Sequence, residues 1–234
     1  MSYSVIYKDI GFKDFKDTWE LQEKIFTDLV NRKLRSESGE MPANETSGTF
    51  IFVEHPHVYT LGKNGSASNL LIDSLQMRAN GASLYRIDRG GDITYHGPGQ
   101  IVGYPIFDLE QLKIGLKEYI YRLEQAIIYT LDEFNIKASR LEGSTGVWLD
   151  PGMPGMVRKI CAIGVKASRF VTMHGFALNV NTDLSYFSHI NPCGFVDKGV
   201  TSMEKETGRK MNMDFVKEAV KKYLQGVFDI TWLI

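Results

Sequence analysis

The run Arg89–Gln100, read as RGGDITYHGPGQ, constrains this chain more than any other stretch. Its twelve residues hold four glycines, a proline, a histidine and an arginine. It lies between two segments that read as strands, Leu84–Asp88 and Ile101–Phe107. A tight turn needs one or two glycines. A run this long describes backbone shaped to approach a ligand.

The chain has 234 residues, 43% of them hydrophobic and 24% charged. That suits one soluble domain over residues 1–234 with a substantial core. Lys plus Arg is 27 against 28 for Asp plus Glu, which argues against a general nucleic-acid binder. No apolar run has the length of a membrane span, and MSYSVIYKDI lacks the basic start and apolar stretch of a signal peptide. Cys161 and Cys193 make no disulfide framework. The expectation is a cytoplasmic protein with reduced thiols and neither nucleic acid nor membrane as partner.

Strands are expected at Ser4–Ile10, Thr49–Glu54, Val58–Leu61, Ile93–Tyr95, Gly146–Leu149, Lys159–Ala167, Phe170–Thr172 and Phe176–Val180, besides the two flanking the glycine run. Helical periodicity marks Asp14–Arg35, Leu116–Asn135 and Asp214–Phe228, with a short helix at Ile72–Asn80. Ser36–Gly48 reads as a polar loop. Strands cluster between long helices. The pattern predicts an α/β, α+β-like fold with a mixed sheet flanked by helices, rather than a doubly wound parallel one.

Several chemistries find no motif. There is no GxxxxGK[ST] phosphate loop, the glycine run does not fit GxGxxG, and no GxSxG elbow occurs. His55 and His57 flank Pro56 with no evident third ligand, so no metal site is expected. Cys193, in HINPCGF, sits where loop backbone is special; it reads either as a reactive thiol or as a small buried hydrophobe. In KICAIGVKA, alternation puts Lys159 on one face with Cys161, Ile163 and Val165. Cys161 then reads as a packing residue. Lys159 either snorkels at the strand end or is aimed at a site.

Taken in order, these motifs resemble the lipoyl(octanoyl) transferases, the lipoate-protein ligase B family. The resemblance rests on Thr60-Leu61-Gly62-Lys63, Arg89–Gln100, Lys159–Val165, Val171–Val180, Asn191-Pro192-Cys193-Gly194 and Val200-Thr201-Ser202-Met203. It implies a fold similar to the biotin/lipoate protein ligase catalytic domain. It also implies octanoyl transfer from acyl-carrier protein to a lysine of lipoyl domains, in 2-oxoacid dehydrogenase complexes and glycine cleavage H protein, as the first step of endogenous lipoate synthesis. On this resemblance Cys193 and Lys159 are the catalytic pair. Substrate contacts fall on Arg89, Gly90, Gly91, Asp92, Ile93, Thr94, Tyr95, His96, Ala162, Ile163, Gly164, Gly175, Phe176 and Ala177. Cys161 stands where a small residue is expected, and Ser36–Gly48 looks like an insertion.

The chemistry agrees with these residue types. A thioester is already activated, so a Cys193 acyl-enzyme needs neither ATP nor another cofactor, the acyl group arriving on phosphopantetheine. A thiol ionises near pH ~8.5, and a nearby lysine cation favours the thiolate. Burying an eight-carbon tail offers roughly 5 kcal/mol at ~0.8 kcal/mol per methylene. Two other functions are compatible with the same fold: an ATP-dependent lipoate-protein ligase, which would not need Cys193, and a non-catalytic acyl- or lipoyl-domain-binding protein.

Overall fold

The computed structural model describes residues 2–40, 45–191 and 198–234. Strand β1 (Tyr3–Phe12) runs into helix α1 (Phe15–Glu37). Asp14 caps that helix, its carboxylate accepting from the backbone N–H of Lys16 and Asp17. The apolar stripe of α1, with Leu21, Ile25, Phe26, Leu29 and Val30, packs on Ile51, Val53, Val102, Tyr104 and Ala177. These sheet residues come from β2 (Gly48–Glu54), β6 (Gln100–Phe107) and β10 (Val171–Asn179). Strands β6 and β10 are buried throughout and β2 nearly so, as expected of strands covered on both faces.

The opposite face carries the larger core. Helices α3 (Leu116–Glu133) and, after the short α4 (Met203–Thr207), α5 (Met213–Phe228) bring Leu123, Ile127, Leu131, Val220, Leu224 and Phe228 against Phe50, Phe52, Ile101, Phe176 and Leu178. The remaining strands of this sheet are β7 (Ser139–Leu141), β8 (Ser144–Leu149), β9 (Arg158–Ser168), β11 (Gly199–Val200) and β12 (Ile230–Leu233). Among the described residues the order is β12-β1-β2-β6-β10-β9-β8-β7, with β11 on β9. Strand β1 is parallel to β2 and β12, β11 is parallel to β9, and the other pairs are antiparallel. The fold is therefore the expected mixed sheet between helices.

A second, three-stranded sheet orders β3 (Val58–Leu61) between β4 (Ser83–Arg86) and β5 (Ile93–His96). Helix α2 (Ser74–Ala79) lies between β3 and β4 in the chain, opened by a capping box of Asp73 and Gln76. No helix among the described residues is long and apolar enough to cross a membrane.

The expected break between Phe170–Thr172 and Phe176–Val180 is absent. Strand β10 pairs with β9 without interruption from Val171 to Leu178, although His174 sits at φ +62°. Unbroken pairing with β9, His174 opposite Val165 and Gly175 opposite Gly164, carries the strand through this unfavourable backbone position.

Candidate functional site

The glycine run forms a loop that enters β5, and its arginine ties it down. The Arg89 guanidinium is buried; Nη2 donates to the Thr60 carbonyl at 2.7 Å and to Thr60 Oγ1 at 3.0 Å, and Nη1 donates to the Gly90 carbonyl at 2.9 Å. Backbone bonds add to this: Gly62 N–H reaches Asp92 O, Lys63 N–H reaches Arg89 O and Asn64 N–H reaches Gly91 O. The motif segments 60–63 and 89–92 are thus one hydrogen-bonded body. Gly62 and Gly164 permit it, because a Cβ would come within 2.4 Å of Gly91 O at the first and 2.9 Å of Gly90 O at the second. Asp92 holds the turn, accepting from Ile93 N–H at 2.6 Å and from Asn69 Nδ2 at 2.5 Å.

Between this body and the large sheet lies a cleft. Arg89, Gly91, Asp92, Ile93, Thr94 and His96 line it, as do Lys159, Ala162, Ile163, Gly164, Gly175, Phe176 and Ala177. Two expected contacts do not. Gly90 is engaged with Val165, its N–H donating to that carbonyl at 2.8 Å. Tyr95 points the other way because alternation along β5 sends Thr94 and His96 to the cleft. Its ring instead packs with Tyr59, Tyr186 and Phe187, and its hydroxyl meets His57 Nδ1 at 2.7 Å.

Burial shifts three histidines in and behind the cleft toward the neutral form. His96 stacks on Phe15 and bonds through Nδ1 to Gln100 Oε1 at 2.8 Å. Gln100 Nε2 donates to Tyr95 O and to Asn179 Oδ1, while Asn179 Nδ2 donates to Thr201 O. Backbone carbonyls therefore orient both amides, and His96 carries its proton on Nδ1. Burial pushes His96 down to about 3. His55 is pushed down to about 4 by burial. Its Nδ1 donates to Lys13 O, and its Nε2 accepts from Tyr104 Oη at 2.9 Å. His174 is also lowered by burial, partly opposed by Asp88 at 3.3 Å. Among the described residues no group of three or more His, Cys, Asp or Glu is placed to hold a metal ion.

Lys159 corrects the alternating reading of β9. Strand β8 advances one residue, from Val147 to Trp148, while β9 retreats two, from Cys161 to Lys159. The extra residue, Ile160, makes a β-bulge, and both Ile160 and Cys161 enter the larger core. Lys159 is thereby turned to the opposite face, beside the cleft. Its Nζ stands 4.4 Å from the centroid of the buried Trp148 ring. Cys161 is wholly buried, and desolvation pushes its thiol up.

Cys193 lies outside the described residues. On its N-terminal side Asn191 N–H donates to Asn69 O at 2.8 Å. On the other side Lys198, Gly199 and Val200 line the cleft, and β11 pairs Val200 with Lys159. The cleft also takes Phe15, Val102, Tyr104, Trp148 and Asn179, none of which the sequence reading singled out. Only Asn179 had a local signal, as the one polar residue in the segment expected as a strand at Phe176–Val180.

A family model described as the lipoyl protein ligase A/B catalytic domain matches residues 14–225. The chain is similar to an octanoyltransferase of Flavobacterium psychrophilum, 53% identical over 232 residues and covering 99% of each chain. It is also similar to one of Christiangramia forsetii, 53% identical over 231 residues and covering 97% of each. In fold it is similar to a bi-partite lipoate protein ligase of Thermoplasma acidophilum, at TM-score 0.67 and 15% identity, over 99% of this chain and 85% of that one. A biotin protein ligase of Aquifex aeolicus gives TM-score 0.51 at 13% identity, over 96% of this chain and 70% of that one.

Proposed function

We propose a mechanism for this chain from the premise that it belongs to the lipoyl protein ligase A/B catalytic-domain family. It is an acyltransferase, and its activity is octanoyl transfer in lipoate biosynthesis, the activity named for relatives that match it over nearly their whole length. An acyl carrier and a lipoyl domain are its partners in general terms. The finer reading is that octanoyl-acyl-carrier protein is the donor, that lipoyl domains of 2-oxoacid dehydrogenase complexes and glycine cleavage H protein are acceptors, and that the reaction runs in the cytoplasm without ATP or another cofactor.

In the first step the Cys193 thiolate attacks the thioester carbonyl carbon. The C–S bond to pantetheine breaks, and the departing thiolate takes a proton from Lys159. In the second step the acceptor lysine amine attacks the Cys193 thioester, Lys159 accepts a proton from that nitrogen, and the Cys193 thiolate leaves. Backbone N–H groups at the glycine-rich wall stabilise the oxyanion. His96, neutral and bound through its Nδ1–H to Gln100, shapes the wall rather than carrying charge. What supports this reading above all is the meeting of Arg89, residues 91–94, His96, residues 162–164 and 175–177 around one cleft bordered by Lys159 and by Lys198, five residues after Cys193.

The test is intact-mass analysis after mixing with octanoyl-acyl-carrier protein without nucleotide. The expected result is one octanoyl adduct on the wild type and none on Cys193→Ser. An adduct that requires ATP would mean a ligase. An adduct that survives Cys193→Ser would reject the thiol.

A further inference from the structure

The floor of the cleft follows the register of three strands. Ala177 on β10 pairs with Ala162 on β9 and with Val102 on β6, so the three side chains form one row on one face. On one side of the row Gly164 pairs with Gly175, and the Arg89 side chain lies over Gly164. On the other side Asn179 pairs with Gln100, which holds His96. The row is therefore the bottom of a trough that crosses the strands.

The two ends differ. Lys159 borders the β9 end. At the β6 end stands Phe15, stacked on His96 and edge-on to His55 at 5.3 Å. Each of those histidines is bonded to a β6 residue, Gln100 or Tyr104. Lys159, Ala162, Ala177, Val102 and Phe15 all line the same cleft. From β9 to β6 is two strand spacings, about 9–10 Å. An extended octanoyl chain has seven C–C bonds of about 1.5 Å, which zigzag to roughly 9 Å.

We propose that the Ala162–Ala177–Val102 row and its end stop, Phe15, set the acyl length this chain accepts. The proposal rests on the octanoyl-transfer reading and names its specificity determinants. With the carbonyl beside Lys159, an eight-carbon tail ends where Val102 and Phe15 close the trough. Ala177 is the midpoint, and extra methyls there fill the path of the tail. A smaller residue at Phe15 lengthens it.

The probe is a series of S-alkyl pantetheines from butyl to dodecyl, which have no reactive carbonyl and so report the slot independently of the thiol. Titration calorimetry on the wild type should show affinity rising about four-fold per methylene up to octyl, with no gain beyond. Ala177→Val should move the optimum to hexyl or shorter. Phe15→Leu should move it to decyl or longer; if that variant fails to fold, Ala177→Val decides. Affinity that still rises through dodecyl in the wild type overturns the proposal. So does a uniform loss at all lengths in the folded variants, or no binding of any member. Length-graded binding without octanoyl transfer would keep the gauge and sink the catalytic reading.

Discussion

On one face of β9, Cys161 is wholly buried among Val147, Leu178 and the helices, and desolvation pushes its thiol up. On the other, Lys159 borders the cleft above Trp148. The two residues are two apart in sequence, and Ile160 between them is the extra residue of the bulge. A buried thiol in apolar surroundings is inert, whereas a cation at the edge of a cleft can act on a substrate. One inserted residue separates packing from chemistry.

The sharpest way to break that contrast is to remove the cation. Lys159→Met should lower octanoyl transfer by about 10²–10⁴-fold, the range for loss of a positioned acid–base group. Steady-state transfer to a lipoyl domain measures it, and a loss below tenfold would return Lys159 to a structural role.

The next largest effect concerns the cleft histidines. The His96 ring is held at about 3, whereas in an unfolded chain it titrates near 6.5. Its contribution to stability is full above pH 6.5 and is lost as pH falls from there toward 3, because only the unfolded state gains the proton. At pH 5 the loss is on the order of 2 kcal/mol. Urea midpoints at pH 7 and pH 5 should therefore fall less for His96→Gln than for the wild type. An identical fall in both would show that the ring is not held neutral.

The smallest effect is expected on the core face. Cys161→Ala should cost about 1 kcal/mol in urea unfolding and leave transfer within about twofold of wild type. In the folded protein Cys161 should resist iodoacetamide at pH 8 and react once unfolded. Ready labelling of the native protein at Cys161 would undo the contrast from this side.

Much of this arrangement was legible in the sequence because its causes are local. The glycines of Arg89–Gln100 announced close backbone approach, and the periods of α1, α3 and α5 announced helices with one apolar face. What stayed hidden depended on pairing between distant strands. KICAIGVKA alternates so well that nothing in it signals a bulge; the step appears only opposite Val147 and Trp148. Tyr95 looked like a site residue because it sits inside the motif, yet strand alternation turned it toward Tyr186. Phe15 and Tyr104 reach the cleft only because α1 and β6 meet there, far from the motif in sequence. Strand β10 looked broken at His174-Gly175, yet its pairing with β9 runs straight through both residues.

The bulge at Ile160 also sets which changes β9 can survive over evolutionary time. Facing there is decided by residue count rather than residue identity. A drift from isoleucine to valine or leucine leaves Lys159 where it is. Loss of a single codon would not: it would bring the strand back into step, swing the lysine toward the core, and pull Arg158 from the two carboxylate oxygens of Glu206 it now grips at 2.7 Å each. Natural variation in this strand should therefore consist of replacements, with insertions and deletions filtered out.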